Sequence, residues 1–553
     1  MQPVPGIAGV APYRVPAPRP PLDLDLRGNE GARPSADLFS SLSGRPELLR
    51  AYPDAGPLEA RLAARFGVAP EQVLVTAGAD DALDRLCRAL LCPGRALVIP
   101  VPAFEMTLRY AALAGAEIRT VPWDGDLPTA EIRAQVDEAT RLIVLTSPNN
   151  PTGAVVTAED LRAVAAAAPD ALVVLDLAYV EYADEDLTAE ALRLPNVLVL
   201  RTFSKARGLA GLRVGLAVGP AEAVGWLRVV GAPYPVSAPS LALAATALEQ
   251  DPTAHVAQAR AERQAMAATL AELGVSVSPS QANFAFLRSP RAAWLADGMA
   301  GLGIGVRRFP GRPGLEDAIR LGCPGDEART ARVVAGLRAT LAPDALLLDM
   351  DGVLVDVRDS YRSAIVQAAA QFGVTVSSDD IAEAKAAGEA NNDWVLTRLL
   401  LARAGVDADL DAVTAAFEAA MDAGLWRREK LLVARATLDA LAQRLPLGLV
   451  TGRPRADADR AIEQFGLQGL FSAVVCMEDA PAKPDPRPVQ LALERLGARS
   501  AWMVGDTPDD LWAARRAGVV PIAVPAPGES DGPHLDPAAR VLNSLSELLE
   551  LLP

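Results

Sequence analysis

Through residues 22–341, short apolar runs alternate with amphipathic ones. VLVT (73–76), ALVIPVP (96–102), RLIVLTSP (141–148), ALVVLDLAY (171–179) and NVLVLRTFSK (196–205) read as buried strands, separated by helical stretches such as DDALDRLCRALL. Strands alternating with helices predict an α/β domain built on a mostly parallel sheet. After the helical DEARTARVVAGLRATL, Pro343 and Asp344 interrupt the pattern, and ALLLDMDGVLVD (345–356) begins a second alternation. The expected division is therefore 22–342 and 343–553. Within the second part an all-helical interval, about 360–430, precedes strand-like PLGLVTG (446–452), SAVVCME (472–478) and AWMVGD (501–506). A helical insert this early in a doubly wound sheet predicts a cap over an active site. Residues 1–21 carry seven prolines and read as a flexible arm.

Charge and composition narrow the partners. A formal net charge of −16 opposes nucleic acid or an anionic membrane as the main partner, leaving small molecules as the expected ligands. The longest uncharged stretch, 229–248, contains Pro233, Pro235 and Pro239 and cannot make a spanning helix. The start of the chain lacks the charged-then-apolar form of a signal peptide. Four cysteines without a CxxC pair, and only two histidines, exclude a disulfide framework, a zinc site of the usual spacing and most histidine-based triads. A reduced, cytoplasmic location follows as the expectation.

Lysine is the informative residue. Of 53 basic residues only Lys205, Lys385, Lys430 and Lys483 are lysines, so a lysine retained here is expected to serve as an amine, which arginine cannot replace. Lys205, in RTFSKARGLAGLRVG, is the only one before residue 385, follows a strand, and lies near Ser204 and Arg213. SPNNPTG (147–153) and DLAY (176–179) also fall at strand ends. TAGADDAL (76–83) places a glycine turn before a helix, an arrangement that offers backbone amides to a phosphate.

In these motifs, residues 22–341 resemble fold-type I aminotransferases, specifically the histidinol-phosphate aminotransferase-like branch. The resemblance implies a pyridoxal phosphate-dependent transferase fold with a large and a small domain. It implies Lys205 as the cofactor-bearing lysine, Asp176 at the ring nitrogen, and Asn150 with Tyr179 at the ring oxygen. Thr202, Ser204, Arg213 and the amides of Ala79 and Asp80 would hold the cofactor phosphate. Phe104 matches a ring-stacking aromatic, and Tyr52 a tyrosine reaching a neighbouring subunit's cofactor, which implies a homodimer through this domain. Asn29, Arg307 and Arg320 match substrate-binding positions.

LLLDMDGVLVD sets Asp349 at a strand end and Asp351 two residues on, where one carboxylate can attack phosphorus and the other carry a proton. With TGR (451–453), AKPDP (482–486) and GDTPDD (505–510), residues 345–553 resemble the haloacid dehalogenase-like (HAD) superfamily, a doubly wound Rossmannoid fold with a helical cap. That match implies Asp349 as nucleophile, Asp351 as general acid/base, Thr451 and Lys483 as phosphoryl ligands, and Mg2+ held by Asp349, Asp506 and the backbone carbonyl of Asp351. Asp509 or Asp510 is a further metal candidate or a helix cap. The aspartate at 351 favours a phosphatase over a dehalogenase. Asn391, Asn392 and Asp393 are candidate cap contacts or a helix end, while Lys385 and Lys430 read as surface or cap charges.

The expected whole is a bifunctional α/β enzyme. Its aminotransferase would use glutamate and 2-oxoglutarate, and both parts would act in succession on histidinol phosphate in histidine biosynthesis. The alternatives are another amino phosphate in specialised metabolism, a pyridoxal phosphate-dependent decarboxylase of a phosphorylated amino acid, or a chain with one non-catalytic module.

Overall fold

The computed structural model describes residues 12, 15, 17–31, 33–388 and 392–552. The chain forms two compact α/β units, one mainly of residues 26–290 and 307–330, the other mainly of 17–25, 291–306 and 331–552.

The first unit is organised by a seven-stranded sheet. Its strands are β1 (Val73–Thr76), β2 (Ala96–Val101), β3 (Glu117–Pro122), β4 (Thr140–Thr146), β5 (Leu172–Asp176), β6 (Val197–Thr202) and β7 (Gly215–Val218), in the order β1-β7-β6-β5-β4-β2-β3. The unbroken apolar runs of the central strands are buried on both faces, as a helix-covered parallel sheet requires. β7 departs from the rest by running antiparallel to both β1 and β6. Its four residues lie too close behind the Lys205 loop to stand out from the pattern. A smaller antiparallel sheet joins β8 (Val277–Ser278), β9 (Phe284–Arg288), β10 (Arg307–Arg308) and β11 (Ala318–Gly322) in the order β10-β11-β9-β8.

The second unit has a six-stranded parallel sheet of β12 (Ala345–Leu348), β13 (Leu447–Val450), β14 (Phe471–Val475), β15 (Ala501–Gly505), β16 (Val520–Ala523) and β17 (Arg540–Val541). Its order, β14-β13-β12-β15-β16-β17, reverses direction at β12. In doubly wound sheets the ligand crevice lies outside the strand ends at that reversal. Between β12 and β13 the chain makes an antiparallel ribbon, Val355–Asp356 against Lys430–Leu431. The expected helical cap lies within that excursion.

Two helices from before Pro343 belong to this second unit: α2 (Ala292–Gly301) and α3 (Glu327–Leu341), counting Ala79–Leu90 of the first unit as α1. Trp294 of α2 meets Trp502 of β15 at 4.6 Å between ring centroids, and the Trp502 indole donates to the Ala339 carbonyl of α3 at 2.8 Å. Trp294, Leu302 and Ala339 share a continuous apolar core with the cap and the parallel sheet. The expected division at Pro343 therefore falls inside a shared interior. Arg19, in the stretch expected to be a flexible arm, pairs with Asp536 at 2.9 Å.

Among the described residues no helix is long and apolar enough to cross a membrane. The uncharged stretch 229–248 instead contains the short helix Ala238–Ala247.

Candidate active sites

In the first unit, β4, β5 and β6 all end at one cavity of about 260 Å³. Lys205, Asp176, Asn150, Tyr179, Thr202, Ser204, Arg213, Phe104, Ala79 and Asp80 all line it, so ten of the expected residues converge although up to 134 positions apart in sequence. Lys205 Nζ donates to the Gly28 carbonyl at 3.0 Å and lies 5.5 Å from the Tyr179 ring centre. Asp176 is fully enclosed, and burial pushes its carboxyl up to about 7, while the Ala178 N–H donating to it at 3.0 Å acts in the opposite sense. A carboxylate so placed is stabilised by a protonated ring nitrogen.

Part of the cavity lining suits an anion. Gly78 precedes α1 with φ +82°, and a Cβ there would lie 2.5 Å from Arg213 Nη2, so glycine both permits the turn and makes room for the guanidinium. Arg213 donates to Asp80 at 3.0 Å. The Thr202 and Ser204 hydroxyls lie 2.9 Å apart beside it. Hydroxyls, an arginine and helix N-terminal amides are the donor set a phosphate needs.

The expected substrate residues separate. Arg320, buried on β11, donates to Asn150 Oδ1 at 2.7 Å, and the Asn29 amide, with its oxygen turned inward, accepts from Arg320 Nε at 3.0 Å. Both therefore adjoin the cavity lined by Asn150. Arg307 lies 3.9 Å from Glu105 and is not part of the cavity lining. Tyr52 is also outside it, 81% exposed and stacked on Tyr234 at 4.7 Å.

In the second unit, Asp349 follows β12, Thr451 follows β13 and Asp506 follows β15, all at the sheet's reversal. Asp349, Asp506 and Asp510 are buried and bring carboxylate oxygens within 4.8 Å of one another. Lys483 Nζ donates to Asp349 at 2.7 Å, to Asp510, and to the Val450 carbonyl at 3.2 Å. Burial pushes Asp349 up to about 7, with the neighbouring Asp510 and Asp351 adding and Lys483 opposing, and burial likewise raises Asp506. Crowded, desolvated carboxylates of this kind fit a hard divalent cation with oxygen ligands. Gly352 belongs to the same arrangement, since a Cβ there would lie 2.0 Å from Asp506 Oδ2. The Thr451 hydroxyl accepts from the Arg453 N–H at 3.2 Å.

The Arg453 contact with Asp351 and the inward placement of Lys385 escape the sequence reading. The Asp351 carboxylate lies outside the cluster of Asp349, Asp506 and Asp510; it is held by Arg453 Nε at 2.7 Å. Asp510 serves both expected roles, capping its helix through Thr507 and facing the cluster. Of the two readings for Lys385, surface or cap charge, the surface one fails: its side chain is mostly buried, 3.4 Å from Asp393, and lines a cavity with Asp349, Asp351 and Asp506. Lys430 is exposed, as expected for a surface charge. Asn392 caps a helix by accepting from the Trp394 and Val395 amides, and Asn391 lies outside the described residues. An isolated lysine in a polar helical stretch carries no sequence signal of facing inward.

The family profile for class I and II aminotransferases matches residues 44–337, and that for haloacid dehalogenase-like hydrolases matches 343–518. The chain belongs to the class I and II aminotransferases and carries a haloacid dehalogenase-like hydrolase domain after that region. The histidinol-phosphate aminotransferase of Xanthomonas euvesicatoria pv. vesicatoria is 38% identical over 336 residues, covering 58% of this chain and 90% of that protein. An imidazoleglycerol-phosphate dehydratase of Phytophthora nicotianae is 43% identical over 236 residues, 38% of this chain; the chain spans about half of that relative, 52%. Among solved structures, the histidinol-phosphate aminotransferase of Sinorhizobium meliloti in complex with pyridoxal-5'-phosphate superposes with a TM-score of 0.56 at 26% identity, covering 61% of this chain and 97% of that one. Both families are enzymatic, and membership in the first implies pyridoxal phosphate as cofactor.

Proposed function

We propose that the first unit transaminates an amino phosphate and that the second hydrolyses its phosphate ester with Mg2+. Histidinol phosphate is the leading substrate, and glutamate and 2-oxoglutarate are the exchanging pair. The observation that carries this reading is the convergence of Lys205, the only lysine before residue 385, with Asp176, Asn150, Tyr179, Ser204 and Arg213 in one cavity. The names of the relatives from Xanthomonas and Phytophthora support histidine biosynthesis as the setting.

When bound, pyridoxal phosphate supplies an aldehyde and an electron-accepting ring. Lys205 Nζ would hold the aldehyde and move the proton at the substrate's α-carbon. The Asp176 carboxylate would hold the ring nitrogen's proton, and Asn150 and Tyr179 would hold the ring oxygen. Ser204, Thr202, Arg213 and the amides at Ala79 and Asp80 anchor the phosphate, while Arg320 receives a substrate anion. Tyr52, exposed and stacked on Tyr234, would reach the other subunit's site in a homodimer through this unit. Four free cysteines suit a reducing, cytoplasmic setting.

In the second unit an Asp349 oxygen attacks phosphorus, and the ester oxygen leaves with a proton from Asp351. Asp351 then takes a proton from the water that hydrolyses the acyl phosphate, restoring Asp349. Lys483 and Thr451 hold phosphoryl oxygens, and Asp349, Asp506 and Asp510 would hold the cation. Transamination is nearly thermoneutral whereas ester hydrolysis is not, so placing the phosphatase second draws the first reaction forward. The test is a substrate screen on one preparation that follows phosphate release and 2-oxoglutarate consumption. Histidinol phosphate should be amino donor at the first site and ester at the second. A first site that handles histidinol equally well, or a second site inert to histidinol phosphate, would refute the assignment.

A further inference from the structure

Two small cavities beneath the cap share Asp351, Asp393 and Gly452 as walls. The first contains Asp349 and Asp506 and is the phosphoryl end. The second is walled by Tyr361, Trp394, Glu418, Arg453 and Asp457. Asp351, the proton donor to the departing alkoxide, stands at their junction, so the second cavity lies on the leaving group's side.

Its charges are unevenly matched. Arg453 is engaged by Asp351 and, at 3.1 Å through both outer nitrogens, by Glu429. Asp457 is compensated by Arg460 at 2.9 Å and accepts from the Tyr361 hydroxyl at 2.7 Å. Asp393 Oδ1 is buried and accepts no hydrogen bond, but it is ion-paired with Lys385 at 3.4 Å. Glu418 forms no ion pair among the described residues; burial, with Asp457 adding, raises its carboxyl above the ordinary value, while a hydrogen bond from the Trp394 side chain and the charge of Arg460 oppose that rise. Aromatic faces at Tyr361 and Trp394 complete a surface suited to a cation.

We propose that Asp393 and Glu418 form a leaving-group subsite for a protonated amine, so that the phosphatase selects phosphate esters of amino alcohols. This deepens the phosphatase reading above and rests on it. Asp393 and Glu418 are specificity-determining residues, since neither touches phosphorus or the transferred proton.

The full chain with Mg2+ is assayed on O-phosphoethanolamine and propyl phosphate, two esters of similar size that differ in the amine. The expected kcat/KM advantage of the amine is about tenfold, the scale of one charged hydrogen bond at a buried site. Asp393→Asn and Glu418→Gln should each cut that ratio severalfold, and Asp393→Glu should retain most of it. A ratio is insensitive to the fraction of enzyme folded, so a destabilised variant still reports. An unchanged ratio in both variants, or a wild type that prefers phosphoglycolate, would overturn the subsite alone. Absence of metal-dependent hydrolysis of p-nitrophenyl phosphate as well would overturn the phosphatase reading and the subsite with it.

Discussion

Trp502 is the side chain whose removal should report most directly on how the second unit is built. It is fully buried on β15, touches Trp294 at 4.6 Å, and donates to Ala339 at 2.8 Å. Truncation to alanine removes roughly 200 Å² of buried indole and leaves a cavity, for which tryptophan-to-alanine changes cost about 3–5 kcal/mol. The Ala339 carbonyl also loses its indole donor, adding about 1 kcal/mol. Trp502→Ala should therefore destabilise the second unit by about 4–6 kcal/mol, with Trp502→Phe recovering much of the apolar part. Urea unfolding followed by phosphate-releasing activity, alongside tryptophan fluorescence, measures the change. A fragment beginning at Pro343 should show comparable weakness, because it lacks Trp294, Leu302 and Ala339. A loss under about 1 kcal/mol in Trp502→Ala, or a 343–553 fragment as stable as the intact unit, would show that the shared core contributes little.

Lys205→Ala and Lys205→Arg should both lose the visible absorbance of the bound cofactor and nearly all transamination, because guanidinium stays protonated; spectra and 2-oxoglutarate turnover check this. Asp349→Asn should lower Mg2+-dependent phosphate release by orders of magnitude while transamination persists, as coupled assays on one sample would show. Arg453→Met strands Glu429 as a buried charge and leaves the partly exposed Asp351 without its partner, and should cost about 3–5 kcal/mol in denaturant unfolding. With the cofactor removed, the raised value of Asp176, about 7 against 3.8, means that the folded state binds the proton more tightly. Its contribution to stability should be fully present below about pH 4 and be lost as pH rises through about 7, and the difference in thermal unfolding between the apoprotein and Asp176→Asn should follow that course.

Much of both sites was legible because their residues sit at strand ends, and strands are the elements that an apolar run marks best. Asp176, Lys205, Asp349 and Asp506 each terminate or follow such a run, and the parallel order of the sheets then brings them together. Arg453 and Lys385 were not legible, since inward orientation depends on how helices and loops return to the sheet. Asn392 and Asp393 are adjacent in sequence and both line the second cavity, but Asn392 also caps a helix; spacing alone left cap contact and helix end as open alternatives for both. The packing of α2 and α3 was hidden for a different reason. An amphipathic stripe states that a helix has a buried face, and Trp294 shows that it does not state against which sheet.

The ribbon that joins Val355–Asp356 to Lys430–Leu431 has an evolutionary reading. Neighbouring strands hold those two ends about 5 Å apart, so the whole intervening segment enters and leaves the parent fold through one narrow doorway. An insert with fixed, adjacent ends imposes no new loop-closure entropy on its host, whatever its own length. Asp349, Lys483 and Asp506 stand on the host side of that doorway, Asp393 and Glu418 on the insert's side. Chemistry and selectivity are thereby written in separable passages of the chain, and descent can revise the second without disturbing the first.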